Sequence, residues 1–383
     1  MNILKINRLS LVLVVLSALA MCASFVIVKP NRIAAGQAQG VVDLIAQPAI
    51  LLLLAVWLAW ALVSLWGRNR RLRLLMSAAA LVVLLVALGW AATTLAGGKA
   101  AVRVTPAAAF WGLFAVFALS LTDALLRFEL KPYQRLLFLL LFAAVGAAIV
   151  YAGLFDNLAI MKEYSGRKNQ FWDEGARHLQ LTFGSLLVAL LIGLPLGVAC
   201  FTWPKIRAGV LQTLSLVQTI PSLALFGLLM LPLGYWAAHS PWAASMGIRG
   251  IGVAPALIAL VIYSLLPVVA NTVVGLNNVS ASVRDAARGM GLTKAQMLLQ
   301  IELPLAFPVI LTGIRIVLVQ AIGLVTIAAL VGGGGFGTFV FQGIGQTATD
   351  LVLLGALPTV LLAFSAAVIL DALVDSRKKG DAA

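Results

Sequence analysis

A charged stretch between two apolar runs is where the side chains of this chain could do chemistry. Residues Val283 to Pro304 read V-R-D-A-A-R-G-M-G-L-T-K-A-Q-M-L-L-Q-I-E-L-P, and the runs on either side are long enough to cross a bilayer. The charged residues of the stretch are Arg284, Asp285, Arg288, Lys294 and Glu302. Because ionised side chains are costly in hydrocarbon, we predict a folded loop at the membrane surface that a partner can bind.

Two short helices joined by a glycine turn are predicted to position these charges. The first half of the loop combines helix-favouring alanines with helix-breaking glycines: Ala286, Ala287, Gly289 and Gly291. Thr293 is a suitable N-cap for a second helix from Lys294 to Ile301, and Pro304 is expected to end that helix.

The sequence contains no recognisable catalytic or metal-ligating constellation. His178 and His239 are assigned outside the membrane without ligand-spaced partners, and Cys22 and Cys200 lie singly inside apolar runs. Neither paired carboxylates nor a Ser/His/Asp arrangement is found. We therefore expect no enzymatic activity and no metal site in this chain.

Composition places the chain in a membrane. Of its 383 residues, 62% are hydrophobic and 10% are charged, far outside the range of soluble domains. The net charge of +14 is typical of lysines and arginines that hold inner loops against an anionic leaflet. No basic patch interleaved with aromatic residues indicates nucleic-acid binding. The predicted fold class is all-α, a polytopic integral membrane protein.

Apolar runs of about twenty residues predict about ten spans. The first five are Leu9–Val28, Leu44–Trp66, Leu74–Leu95, Pro106–Leu126 and Leu136–Leu154. The second five are Leu181–Phe201, Val210–Leu233, Ile251–Leu276, Thr312–Val331 and Leu351–Leu370.

The first run could instead be a cleaved leader, because Lys5 and Arg8 precede it as in a secretory signal. Residues 19–22 also resemble a lipoprotein cleavage box, although Met21 is bulky where a small residue is normal. The run is longer than a usual signal core, so we predict an uncleaved first span.

Basic residues predict the orientation. If the N-terminus is cytoplasmic, 17 of the 27 lysines and arginines lie in inner segments, 9 lie in outer ones and Arg315 lies in or near a span. Both termini and the charged loop are then cytoplasmic, although the loop motif played no part in the count.

A polar stretch between the two halves predicts the domain organisation. We assign residues 1–155 to a five-span N-terminal extension, 156–178 to an external connector, 179–376 to a core and 377–383 to a cytoplasmic tail. The connector, partly an interfacial helix, is either a landing surface for an external binding protein or a solvated link.

Polar groups inside the spans of the core are candidates for lining a translocation path. They are Gln218, Thr219, Pro221, Ser222, Asn271 and Gln320. A proline within a span frees a carbonyl, which should face protein or a cavity and not lipid. Arg315, near the cytoplasmic start of the ninth span, either links the loop to the translocating helices or snorkels at the interface.

The charged loop resembles the signature of ABC importer permeases, written Glu-Ala-Ala, three residues, Gly, nine residues, Ile, one residue, Leu-Pro. The matching residues are Asp285, in place of glutamate, and Ala286, Ala287, Gly291, Ile301, Leu303 and Pro304. The resemblance implies that the loop docks in a groove of a separate ATP-binding subunit and couples it to the membrane helices. The residues expected to take part also include Arg284, Gly289 and Lys294.

The core resembles the osmoprotectant branch of these permeases more closely. This resemblance is carried by V-Q-T-I-P-S-L-A-L-F-G at 217–227, Y-S-L-L-P-V-V-A-N-T at 263–272 and G-G-G-F-G-T-F-V-F-Q-G-I-G-Q at 333–346. It covers about residues 175–376 and implies the import of glycine betaine, choline, carnitine or a related quaternary amine.

The resemblance also implies partners and a location. These are two ATP-binding subunits that hold ATP and Mg²⁺, a second permease chain, a periplasmic substrate-binding protein and the lipid of a bacterial inner membrane; this chain is expected to bind no cofactor. One alternative is a secondary transporter driven by an ion gradient, which the lack of Asp and Glu in the middles of the spans disfavours. Others are an ABC permease for a different small solute and an export or lipid-handling subunit.

Overall fold

The computed structural model describes residues 8–32, 34–67, 69–128 and 130–380. Lys5 and Arg68, which contribute to the predicted orientation, and residues 381–383 of the predicted tail lie outside these ranges. The chain divides into two compact units, the first ending at Gly166 and the second beginning at Arg167.

The first unit combines helices with a small sheet. Its helices are α1 (Arg8–Met21), α2 (Pro48–Trp66), α3 (Arg70–Ala96), α4 (Ala108–Leu126), α5 (Pro132–Tyr151) and α6 (Ala159–Gly166). Its strands are β1 (Ser24–Lys29), β2 (Gln37–Gly40) and β3 (Arg103–Pro106), and β1 pairs antiparallel with both of the others. Buried side chains of α2, α3 and α4 form its apolar core.

The predicted first span, Leu9–Val28, is wrong in its second half. The described helix ends at Met21, and Ser24–Lys29 form the central strand of the sheet. Aromatic and β-branched residues from Phe25 to Val28 favour a strand although they are as apolar as a span. In the described residues, nine helices are long and apolar enough to cross a membrane, and α1 is a shorter apolar helix.

Charged groups join the polar elements of the first unit. Glu163 of α6 is 5% exposed, and its carboxylate lies 2.6 Å from Arg103 of β3 and 3.4 Å from Arg32. Lys162 donates to the carbonyls of Ala100 and Val102 at 3.0 and 2.6 Å. The first part of the predicted connector is therefore a helix fastened to the sheet.

All regular elements among the described residues of the second unit are helical. Its helices are α7 (Lys168–Thr202), α8 (Pro204–Thr219), α9 (Ser222–His239), α10 (Pro241–Ser245), α11 (Val253–Asn277), α12 (Ala281–Gly289), α13 (Lys294–Met297), α14 (Leu303–Ala328), α15 (Gly337–Gly345) and α16 (Thr349–Gly380). A π-helical turn, Leu298–Glu302, precedes α14, and a 3₁₀ turn, Ala329–Val331, follows it.

Helix α11 lies between α7 and α14 and packs closely against both. A Cβ on Gly197 of α7 would stand 2.6 Å from the Cβ of Thr272, and one on Gly275 would stand 2.9 Å from the carbonyl oxygen of Ala306 in α14. Small residues let helix backbones approach in this way within a membrane. The charged loop connects α11 to α14, and the path candidates lie on α11, on α14 or around α8 and α9, which pack against α11.

Candidate functional site

The charged loop folds as two short helices joined by a turn, as the sequence predicts. Helix α12 ends at Gly289, and Gly291 has a φ of +79°, in the left-handed region that favours glycine. Thr293 is the N-cap of α13: its hydroxyl accepts the N–H of Gln296 at 3.3 Å, while the Gln296 side chain accepts the N–H of Thr293 at 2.9 Å. This reciprocal capping fixes the direction in which the chain leaves the turn.

The prediction that Pro304 ends the second helix is wrong. Helix α13 continues into the π turn, and α14 follows directly. The π turn contains Ile301, and the N–H of Leu303 donates to the carbonyl of Leu298. Pro304 stands in the first turn of α14, where the wider π turn relieves the clash of its ring with the preceding turn. Residues Lys294–Val331 therefore join the loop to the predicted ninth span in one helical segment.

The base of the loop is held by a buried ion pair that sequence reasoning missed. Arg284 of α12 donates from Nε to Glu302 at 2.7 Å and from Nη2 to the carbonyl of Leu276 at 2.6 Å. Its guanidinium lies 5.2 Å from the ring centroid of Phe201 in α7, and Glu302 is 3% exposed. One side chain thus connects the loop to the ends of α7 and α11 and to the π turn.

The tip of the loop is open to solvent. Asp285 and Arg288 form an ion pair at 3.1 Å, with 69% and 65% of their side chains exposed. The other exposed members of the predicted site are Ala286, Gly289, Gly291 and Lys294. Ala287 is buried, so α12 turns one face toward the base and presents the opposite, charged face to water.

The predicted seventh span, Val210–Leu233, is not one helix. Helix α8 ends at Thr219, Ile220 is extended, and α9 begins after Pro221. A proline disfavours helical geometry in the residue before it, and it cannot donate the next backbone hydrogen bond. Gln218 donates to the carbonyl of Tyr263 at 2.7 Å, and the Tyr263 hydroxyl donates to the carbonyl of Ile220, so α11 fastens the break from its side.

The path candidates differ in what their side chains do. Gln218, Thr219, Pro221 and Ser222 come together at the break, where Thr219 and Pro221 are exposed and Ser222 is half-buried. The other two lie on different helices. Asn271 of α11 donates to its own helix, and Gln320 is half-buried on α14. The break therefore concentrates four candidates at one level of the second unit.

Arg315 lies next to Asp371 of α16, with Nη1 and Oδ1 2.5 Å apart. The side chains are 36% and 38% exposed. Neither of the interpretations offered for Arg315 includes this partner. The signal in the sequence that could have identified the pair was an arginine inside one predicted span and an aspartate directly after the end of the next.

The glycine-rich stretch that follows α14 is bound to the first turns of α7. Glu174 accepts the N–H of Gly335 at 2.6 Å, and Nδ1 of His178 accepts the N–H of Phe336 at 3.3 Å. Since Nδ1 accepts, Nε2 carries the proton and donates to the carbonyl of Ile322 at 3.1 Å. His178 is thus fully buried in a backbone-binding role.

Two family models match the chain. Residues 7–161 match the N-terminal domain of the ABC transporter permease YehY. Residues 189–379 match the family described as the binding-protein-dependent transport system inner membrane component. The second match contains the charged loop, the broken span and the Arg315–Asp371 pair.

Several curated proteins are similar to about half of the chain. The osmoprotectant import permease protein OsmW of Salmonella typhimurium is 41% identical over 187 residues, which is 49% of this chain and 82% of OsmW. The carnitine transport permease protein OpuCD of Listeria monocytogenes is 37% identical over 202 residues, 52% of this chain and 82% of OpuCD. The choline transport system permease protein OpuBD of Bacillus subtilis is 33% identical over 208 residues, 54% of this chain and 85% of OpuBD.

Among solved structures, the methionine ABC transporter MetNI in an inward-facing conformation aligns with a TM-score of 0.46 at 24% identity. The alignment covers 54% of this chain and 96% of the MetNI chain.

Proposed function

Because the chain belongs to the binding-protein-dependent ABC importer permeases of the bacterial inner membrane, we propose that its second unit forms the path for an osmoprotectant and that its charged loop couples this path to an ATP-binding subunit. The substrate class is supported by the relatives, which are named for osmoprotectants, carnitine and choline. Carnitine and choline share a quaternary ammonium group. Glycine betaine has the same group and is the probe we choose.

The observation that carries the coupling role is the contrast between the two ends of the loop. The tip presents Asp285 and Arg288 to water, as a docking element requires. The base is tied by Arg284 to α7, α11 and the π turn. A force applied to the tip therefore reaches α7 and α11 through Arg284, and it reaches α14 through a continuous helical segment.

The proposal assigns ATP and Mg²⁺ to the partner subunit, and this chain supplies the path and the loop. Two ATP-binding subunits would each hold the loop of one permease chain, and the second permease chain would be a copy or a paralogue of this one. A periplasmic binding protein would deliver the solute from outside. Closure of the ATP-binding subunits would draw the two loops together and open the path outward.

The side of the membrane on which the loop lies is the first test. In a chain with Cys22 and Cys200 replaced by alanine, Ala295→Cys places a thiol at an exposed position of α13 without removing the Gln296 cap. We expect a membrane-impermeant maleimide to label it only from the cytoplasmic side. Lys99→Cys, exposed between α3 and α4, is the matched control and should label from the periplasm. Periplasmic labelling of Ala295→Cys would contradict the proposal.

The energy source is the second test. The full chain is reconstituted in vesicles with the ATP-binding subunit and binding protein of the same bacterium, and uptake of labelled glycine betaine is measured. We expect uptake to require ATP and to persist when an uncoupler removes the ion gradient. Uptake that collapses with the uncoupler at constant ATP would favour the secondary transporter. If ATP drives the uptake of some other solute but not of glycine betaine, carnitine or choline, the proposed coupling role is retained and the proposed substrate class is refuted.

A further inference from the structure

The Arg315–Asp371 pair joins α14 and α16, both apolar enough to cross a membrane, and lies away from the charged loop. At a rise of 1.5 Å per residue, about 18 Å of helix separates Leu303, where α14 begins, from Arg315. This is farther than an arginine side chain extends, so the pair is not explained by a side chain that reaches back along its own helix to the loop. The two charges neutralise each other across the α14–α16 contact, which is otherwise formed by apolar side chains such as Leu318 and Ala366.

The pair is not enclosed by the second unit itself. More than a third of each side chain is exposed, and ionised groups that face hydrocarbon are costly. Charged residues within spans almost always face the interior of a bundle or a water-filled cavity, so this exposed side of α14 and α16 fits the wall of a water-filled path.

We propose that Arg315 and Asp371 form a binding site on the translocation path for zwitterionic solutes, and this inference rests on the proposed function. The carboxylate of the solute takes the place of Asp371 at the guanidinium, and its ammonium group takes the place of Arg315 at the carboxylate. Each protein charge keeps an opposite charge beside it throughout the exchange. The solute therefore enters without leaving an unpaired ion in the membrane, which would be strongly unfavourable.

The two members of the pair are connected differently to the loop. Arg315 is on α14, which continues without a break from α13 through the π turn, whereas Asp371 is on α16. Displacement of the loop moves the guanidinium relative to the carboxylate. In one position the two charges satisfy each other, and in the other they are separated and can hold a solute between them. Binding and release are in this way tied to movement of the loop.

The site discriminates between two kinds of quaternary amine. Glycine betaine carries both charges and satisfies both side chains. Choline carries only the positive charge, so it can compete for Asp371 but leaves Arg315 without a counter-ion. We expect zwitterions to pass this site faster than cations of similar size.

The experiment compares uptake of glycine betaine and choline by the reconstituted full complex, with the binding protein saturated so that the rate reports the permease. The test variant is Arg315→Gln with Asp371→Asn, which removes both charges and keeps groups that can hydrogen-bond. The matched control is Arg127→Gln with Asp123→Asn, which removes another arginine–aspartate pair, formed at 2.9 Å in the first unit. ATP hydrolysis and the yield of assembled complex are measured for each.

We expect the test variant to lose about tenfold in the rate of glycine betaine uptake, the effect of one charge-assisted hydrogen bond. Choline uptake, ATP hydrolysis and assembly should stay within about twofold of the control pair, because in the wild type the attraction of choline to Asp371 is offset by the counter-ion that Arg315 loses. Unchanged glycine betaine uptake would overturn the proposal. An equal fall for both solutes with reduced assembly would also overturn it, and would assign the pair to contact with a second permease chain. A wild-type complex that moves neither solute would instead refute the proposed substrate class, and the site with it.

Discussion

Two ion pairs on the same short helix, one turn apart, show how the base and the tip of the charged loop differ. At the base, Arg284 binds Glu302 at 2.7 Å, and the glutamate side chain is 4% exposed. At the tip, Arg288 binds Asp285 at 3.1 Å, with both side chains mostly in water. The residue types are nearly the same, but only the pair at the base joins separate parts of the chain.

The difference teaches which charges stabilise the fold and which are available to a partner. A buried pair that loses one member leaves an uncompensated charge, at a cost of about 3–5 kcal/mol. An exposed pair contributes only about 0–1 kcal/mol, because water screens it. A buried attachment and an exposed charged pair therefore lie on a single helix. Under the proposed function, substitutions at the base should mainly lower stability, and substitutions at the tip should mainly impair coupling.

The strongest test of this comparison is Glu302→Ala at the base. It removes the partner of Arg284, and we expect the free energy of unfolding to fall by about 3–5 kcal/mol. Thermal unfolding of the detergent-solubilised chain, followed by far-UV circular dichroism, measures the change. Asp285→Ala is the matched control at the tip. If both variants unfold at the same temperature, the distinction between base and tip is wrong.

A substitution in the turn should have an intermediate effect. Gly291 has φ +79°, and a β-branched residue there costs about 1–3 kcal/mol in backbone strain. We expect Gly291→Val to insert in the membrane but to lose most ATP-dependent uptake, because the turn can no longer hold the two helices in place. Gly289→Ala is a close control, since Gly289 is helical and, like Gly291, has no atoms near the position of a Cβ. Uptake by Gly291→Val equal to that of this control would show that the turn geometry is not required.

The smallest effect on stability and a large one on coupling are expected at Asp285. Asp285→Lys should change the free energy of unfolding by less than about 1 kcal/mol, because the side chain is exposed. It should nevertheless abolish stimulation of ATP hydrolysis by solute, since the charge presented to the partner is reversed. Asp285→Glu keeps the charge and should retain uptake within about twofold. Normal uptake by the lysine variant would exclude Asp285 from the docking surface.

The spans and the loop could be predicted from the sequence because their signals are local. Runs of apolar residues give five of the ten predicted spans, those that correspond to α2, α3, α4, α5 and α11, to within a few residues at each end. Thr293 precedes a helix with a glutamine at the capping position. The π turn could not be foreseen, because proline rules describe α-helices. Pro304 was read as a terminator, although a wider turn before it lets the helix continue.

The features that were missed depend on contacts between distant parts of the chain. Glu302 gives no sign in the sequence that Arg284, a full loop away, folds back onto it. The strand at Ser24–Lys29 is as hydrophobic as a span, and only its pairing with two other strands distinguishes it from part of a membrane-spanning helix. Which side chain or strand a segment pairs with is determined by tertiary packing, and composition and periodicity do not predict it.

The π turn at Leu298–Glu302 determines the direction in which the loop points around the axis of α14. Such a turn contains one surplus residue, and in an α-helix one residue corresponds to a rotation of about 100° and a rise of about 1.5 Å. Deleting a residue from it would swing α13 and the glycine turn to another side of the helix while the spans kept their register. The backbone hydrogen bonds of this one turn thus decide in which direction the loop points.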